Sequence, residues 1–253
     1  MKDFTLQKYS DLLKTLLDTG YKCTSYLSYL ENNYSGKAAI LRHDVDKKPF
    51  NSLAFAKLQN TLSAIGTYYF RMVKESFHVD VIKEIHSLGH EIGYHYEDMD
   101  FAKGDKDKAI KLFEEHLARL REVAPVKTIC MHGSPLSKWD NKDVWKKYDY
   151  HNYGIIAEPY FDVNFNEFYY LTDTGRSWNA SKVSVRDKVN SDFYFPVKAT
   201  DDIISHLKND SLPEKIMFNF HPQRWSDNKM QWMQELVMQN SKNIVKSIII
   251  KRT

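Results

Sequence analysis

What most constrains this chain is a recurring alternation. A short apolar run ends in an ionisable residue, and an amphipathic stripe closed by glycine or proline follows. Ala39-Ile40-Leu41 leads as a strand into Arg42-His43-Asp44-Val45-Asp46. Pro49 then opens a stripe carrying Leu53, Ala56 and Leu58, which Gly66 closes, and Thr67-Tyr68-Tyr69-Phe70 is the next strand. Val81, Ile82, Ile85 and Leu88 end at Gly89 and give way to a strand over His90–His95. Ala109, Ile110, Phe113, Leu117 and Leu120 stop at Pro125, and Thr128–Met131 runs into His132. An earlier stripe, Tyr9, Leu12, Leu13, Leu16 and Leu17, stops at Gly20. Further strands are expected at 153–156, 168–171 and 216–220, then a Met/Trp-rich helix at about 227–240 and an apolar C-terminal strand. Repeated β–α units imply a parallel sheet, open or closed into a barrel. The stretch 173–196 is long, irregular and polar-aromatic, a length that in compact domains is often functional.

No linker or internal repeat divides the 253 residues, so a single domain over 1–253 is expected. The balance of 36 basic against 33 acidic residues argues against a nucleic-acid partner. Two distant cysteines, Cys23 and Cys130, exclude a disulfide scaffold and a cysteine-built zinc site. The first residues lack the apolar stretch of a signal peptide, and no run approaches the ~18 apolar residues of a membrane span. The expected compartment is the cytoplasm.

Four strands end in ionisable groups: Asp44/Asp46 with His43, His95 with Glu97/Asp98, His132, and His221. In parallel α/β proteins the carboxyl ends of the strands share one face, where sites are built. On extended backbone Asp44 and Asp46 point to one side, and two close carboxylates call for a cation or a shared proton. The competing reading of this pair is a helix cap ahead of Pro49. Imidazole with carboxylate is a ligand set that suits zinc and other borderline divalent ions. His221, in Asn219-Phe220-His221-Pro222-Gln223-Arg224-Trp225, is placed for general acid–base work or, alternatively, for stacking on Trp225.

Arg42-His43-Asp44-Val45-Asp46, Gly89-His90-Glu91-Ile92-Gly93-Tyr94-His95 and the late His221 together resemble the polysaccharide deacetylase family, carbohydrate esterase family 4, across about 38–225. Met131-His132-Gly133-Ser134-Pro135 and Leu171–Trp178 are similar to variant blocks of a divergent branch. The resemblance implies a distorted, incompletely closed (β/α)7 barrel holding one divalent metal ion, zinc above others. It implies removal of an acetyl group from an N-acetylated sugar or glycan precursor, with a saccharide or sugar-linked small molecule as partner. By position, Asp44 matches the base, Asp46 the metal aspartate, His95 the first metal histidine and His221 the acid. The family's second metal histidine falls on Met99, a poor zinc ligand, so the third ligand is expected from His132, with Glu97 as the alternative. The arginine that braces the base in the family has no counterpart by position, leaving Arg42 or Arg176 to substitute. Arg42, His43, Arg176, Trp178 and Trp225 are the expected substrate contacts, and Trp139 is a further candidate for stacking on a sugar. Two other readings stay open: a metal-free or non-sugar C–N hydrolase, and a carbohydrate binder that has lost catalysis.

Overall fold

The computed structural model describes residues 2–32, 34–134, 137–178 and 189–250, the last seven by backbone alone. Among these residues seven strands form one all-parallel sheet: β1 (Lys22–Thr24), β2 (Ala38–Val45), β3 (Thr67–Phe70), β4 (Glu91–Tyr96), β5 (Val126–Met131), β6 (Tyr169–Thr172) and β7 (Lys215–Phe220). The order is β5-β4-β3-β2-β7-β6. One edge of β2 pairs with β7; its other edge pairs first with β1 at Ala38–Ile40 and then with β3 at Arg42–Val45. Among the described residues no ladder joins β5 to β6, and only a bridge between Thr128 and Ala157 extends past β5. The sheet therefore has the seven parallel strands expected and stays open as an incompletely closed barrel would.

Local sequence explains most boundaries. Thr5 caps α1 (Leu6–Asp18) by accepting from the Lys8 N–H, and the helix buries Tyr9, Leu12, Leu13 and Leu16 against the sheet. After α2 (Tyr26–Glu31), Pro49 starts α3 (Pro49–Thr61), where its missing N–H costs nothing. α4 (Val79–Ser87), the single turn α5 (Asp98–Phe101) and α6 (Lys106–Arg121) follow, α6 capped by Asp105 through the N–H groups of Asp107 and Lys108. The chain continues through α7 (Pro159–Asp162) and α8 (Thr200–Lys208) to α9 (Lys229–Ile250).

Two expected strands are not strands. At 153–156 the Asp149 carboxylate accepts from the His151 N–H and winds Tyr150–Tyr153 into a 3-10 turn, which Gly154 ends in left-handed backbone. The apolar C-terminus belongs to α9: no glycine or proline follows Pro222, so nothing stops the helix.

The Gly89–His95 motif is mostly scaffold. His90 accepts from the Gly66 N–H through Nδ1 and donates through Nε2 to the Ala56 carbonyl, tying β4 to α3. The buried Glu91 carboxylate accepts from Thr67 Oγ1, Thr128 Oγ1 and the Leu27 N–H, bonding β3, β5 and α2 together. Gly93 is glycine because a Cβ there would lie 2.3 Å from the Tyr69 ring. This frame fixes the strand whose next residues are Tyr94 and His95.

Candidate active site

β2, β4, β5 and β7 deliver Asp44, Asp46, His95, His132 and His221 at their carboxyl ends. His95 donates from Nδ1 to the Cys130 carbonyl at 2.9 Å, which leaves Nε2 as a lone-pair donor. Nε2 lies 3.6 Å from Asp46 Oδ1 and 3.3 Å from His132 Nδ1, and His132 Nδ1 lies 3.3 Å from Asp46 Oδ1. A tetrahedral centre with bonds of about 2.0–2.1 Å spaces its ligand atoms about 3.3–3.4 Å apart, so these three atoms already have the spacing of one face of such a centre. Asp46 Oδ1 is buried and has no hydrogen-bond partner among the described residues, while Oδ2 accepts from Gln223 Nε2 at 2.8 Å. Without a cation, an orphaned carboxylate oxygen facing two imidazole nitrogens is an unfavourable arrangement. Asp46, His95 and His132 therefore fit a borderline divalent ion such as zinc.

Asp44, His95 and Cys130 also bring donor atoms within 4.8 Å of one another. Asp44, however, is already held by three donors: Arg42 donates Nε to Oδ1 at 2.9 Å and Nη2 to Oδ2 at 2.7 Å, and Asn219 Nδ2 donates to Oδ2 at 3.0 Å. Burial raises the Asp44 carboxyl pKa, but Arg42 and then His95 outweigh it and hold the group well below the carboxylate range. His95 shows the mirror effect: burial opposes its protonation, yet Asp44 and Asp46 raise its pKa.

His221 emerges beside Asp44, since β7 pairs with β2 at Phe220 and His43. Asp173, just past β6 and fully buried, accepts from His221 Nδ1 at 2.6 Å, from the His221 N–H at 3.0 Å, from Arg224 Nη1 at 2.7 Å and from Trp225 Nε1 at 2.6 Å. Burial raises the Asp173 pKa; His221 and Arg224 overcome that and leave it lowered. The His221 ring is thereby fixed in orientation with Nε2 as its second nitrogen.

No protein-family profile and no curated protein matches the chain. Solved structures do. A CE4 family pseudoenzyme from Bacillus anthracis aligns at 12% identity with a TM-score of 0.45, over 82% of this chain and 62% of that one. A family 4 carbohydrate esterase from the same organism aligns at 12% identity and 0.41, over 92% and 84%. Bacillus subtilis PdaA, also a family 4 carbohydrate esterase, gives 10% identity and 0.43, over 91% and 83%. The chain resembles the family 4 carbohydrate esterases. These overlaps are partial, and the chemistry rests on the side chains above.

Against the esterase pattern, the departures have local causes. β4 stops at Tyr96 and α5 begins at Asp98, so Met99 turns into the core and is buried there. His132, whose N–H bonds the Tyr96 carbonyl, stands where it can join His95. Glu97 is outside the cluster: Arg71 holds both its oxygens, at 2.8 and 2.7 Å, and also donates to the Asp46 carbonyl. Arg42 pairs with Asp44; Arg176 lies elsewhere, donating to the Trp232 carbonyl and stacked over Phe4 and Trp232.

Three expected substrate contacts sit in the core. His43 is enclosed by Tyr9, Phe55, Tyr68 and Phe220. Trp178 is buried and donates to Thr200, and Trp225 is buried with its indole N–H on Asp173. Their apolar bodies outweigh any exposed role. Trp139, by contrast, is exposed. Of the 173–196 stretch, 179–188 lie outside the described residues. Asp173, Asn219 and Gln223 are the supporting residues not singled out from sequence. Asp173 had a usable signal, an acidic residue at a strand end; the other two amides had none.

Proposed function

We propose that this chain is a divalent-metal-dependent hydrolase that removes an acetyl group from an N-acetylated sugar or glycan precursor. The observation that carries this reading is the triangle of Asp46 Oδ1, His95 Nε2 and His132 Nδ1, with the unpartnered Asp46 oxygen at one corner. A metal ion held by these residues supplies Lewis acidity toward the acetyl carbonyl and water. Asp44 lies alongside, its Oδ2 at 3.8 Å from His95 Nε2. Among the described residues its Oδ1 accepts only from Arg42 Nε, which leaves a lone pair to take a proton from the attacking water. As the C–N bond breaks, His221 delivers its Nε2 proton to the departing nitrogen, giving free amine and acetate. Asp173 balances the positive charge that His221 carries before that transfer.

For the saccharide, a cavity of about 290 Å³ is lined by Lys142, Tyr160, Asn164, Phe165 and Asn190, among others. Aromatic faces interleaved with amides and a cation suit the mixed surface of a pyranose. Tyr160 ties this cavity to the site: its hydroxyl accepts from Arg42 Nη2 at 3.4 Å. The test is metal stoichiometry by mass spectrometry combined with acetate release from N-acetylglucosamine oligomers. About one zinc-like ion per chain is expected in the wild type and none in His95→Ala or His132→Ala. Metal-free wild-type protein that still turns over would select the metal-free hydrolase; full metal in His132→Ala would remove His132 from the ligand set.

A further inference from the structure

α9 packs on the body through a mixed face, Trp232 with Glu235 and Gln239, and leaves several large apolar side chains outward. Its polar side chains at Glu235 and Gln239 face the body and are buried. Lys47 and Lys48 reach Glu235 at 3.4 and 4.0 Å, Asn243 Nδ2 donates to the Gly175 carbonyl, and Arg176 donates to the Trp232 carbonyl. The spacing 232, 235, 239, 243 is one helical face. The opposite face carries Met230, Met233, Val237 and Met238, which are 73%, 50%, 60% and 39% exposed. Gln234 and Ser241 share that outer face, and the four large apolar side chains left to water on it mark a contact surface.

Charge selects the occupant. The helix has one acidic residue, Glu235, and that one is turned inward and paired. Lys229 and Lys242 are exposed, and from Leu236 to the end the sequence has four basic residues and no acidic one. A second copy of this helix would bring like charges together, and the 3–4 spacing from Met230, Met233 and Val237 next falls on Asn240, a poor seam for pairing. Among the described residues no helix is long and apolar enough to cross a membrane, so the fitting geometry is one lying flat on it.

We infer that the exposed Met230–Met238 face of α9, flanked by basic residues, docks on an anionic phospholipid surface. The test is flotation of the full chain with vesicles of phosphatidylcholine alone and of phosphatidylcholine mixed with phosphatidylglycerol. Binding to the anionic vesicles is expected to exceed binding to the neutral ones by about tenfold or more. Met233→Gln combined with Val237→Gln keeps the charge and removes only exposed apolar groups, so the fold stands and binding should fall about tenfold. Lys229→Gln with Lys242→Gln should weaken binding and reduce its salt sensitivity. No binding to either vesicle, or equal binding to both, would overturn the inference. So would a concentration-dependent dimer in sedimentation velocity that the methionine–valine variant abolishes without any vesicle binding. None of these readouts depends on the hydrolase reading, which can fail separately.

Discussion

His43 and His95 are anchored alike and end up opposite in character. Each donates Nδ1–H to a backbone carbonyl of the next strand at 2.9 Å, Thr67 for His43 and Cys130 for His95. The difference is what meets Nε2. For His43 it is the Tyr9 hydroxyl at 3.0 Å and the Gln59 amide at 3.2 Å, inside a shell of aromatic rings. For His95 it is Asp46 Oδ1 and a second imidazole. Burial accordingly pushes the His43 pKa down to about 3, whereas the carboxylates beside His95 raise its pKa. The same division runs along the strands. On β2, Arg42 and Asp44 face the site while His43 faces the aromatic core; on β7, Asn219 reaches Asp44 while Phe220 stacks on His43. A histidine's function here is set by the surroundings of one nitrogen, not by its place at a strand end.

The largest effect expected on the site face follows Asp44→Asn. Turnover should fall about 10³-fold, the middle of the range for a positioned general base, with metal content unchanged. The Arg42 guanidinium then lacks its counter-charge in a buried setting, so stability should drop as well, by roughly 3–5 kcal/mol. Loss of the metal together with turnover would move Asp44 into the ligand set and blur the division. On the core face, Phe55→Ala removes a fully buried ring stacked on Tyr9. Chemical denaturation should show a loss of about 3–4 kcal/mol, with metal per folded chain unchanged. If metal content fell too, the two faces would not be separable.

Most of the frame was legible because periodicity and strand ends are backbone properties. The strand expected at Thr67–Phe70 is β3, and the stripes ending at Gly20, Gly66 and Gly89 are helices. The apolar C-terminal run, expected as a strand, is helix because a short aliphatic stretch satisfies strand and helix alike until its neighbours decide. Within the site, Asp44, Asp46, His95, His132 and His221 share one end of the sheet as the strand-end rule expects. The aromatic residues were harder: Trp178 and Trp225 follow strand ends in sequence, yet their bulk is buried against Phe220. Nothing in the order of residues distinguishes an indole that stacks on a ligand from one that fills the core.

A smaller effect separates position from charge around His221. Asp173→Asn keeps the shape but exchanges an acceptor oxygen for an amide, which no longer accepts from all four N–H groups now aimed at it. Turnover should fall about 10²-fold while metal content holds. A variant with full activity would reduce Asp173 to scaffold and leave His221 oriented by Pro222 and its neighbours alone.

The mildest test returns to the two histidines. His43 stays neutral when folded down to about pH 3, while the unfolded chain takes up a proton near its ordinary value of about 6.5. Between those values the unfolded state binds more protons, so stability rises with pH there and is lost as pH falls from about 6.5 toward 3. Glu158 acts with the opposite sign: burial raises its carboxyl pKa to about 7, so the folded chain holds a proton that the unfolded chain has lost, and stability falls as pH rises toward 7. The wild-type curve alone therefore mixes the two. The difference between wild type and His43→Gln, measured by urea denaturation at pH 5, 6 and 7, isolates the histidine. That difference should change by no more than about 1.4 kcal/mol per pH unit, in the direction that makes the wild type lose more stability on acidification. A pH-independent difference would mean that His43 accepts a proton in the folded chain, and the contrast with His95 would then lie in metal binding alone.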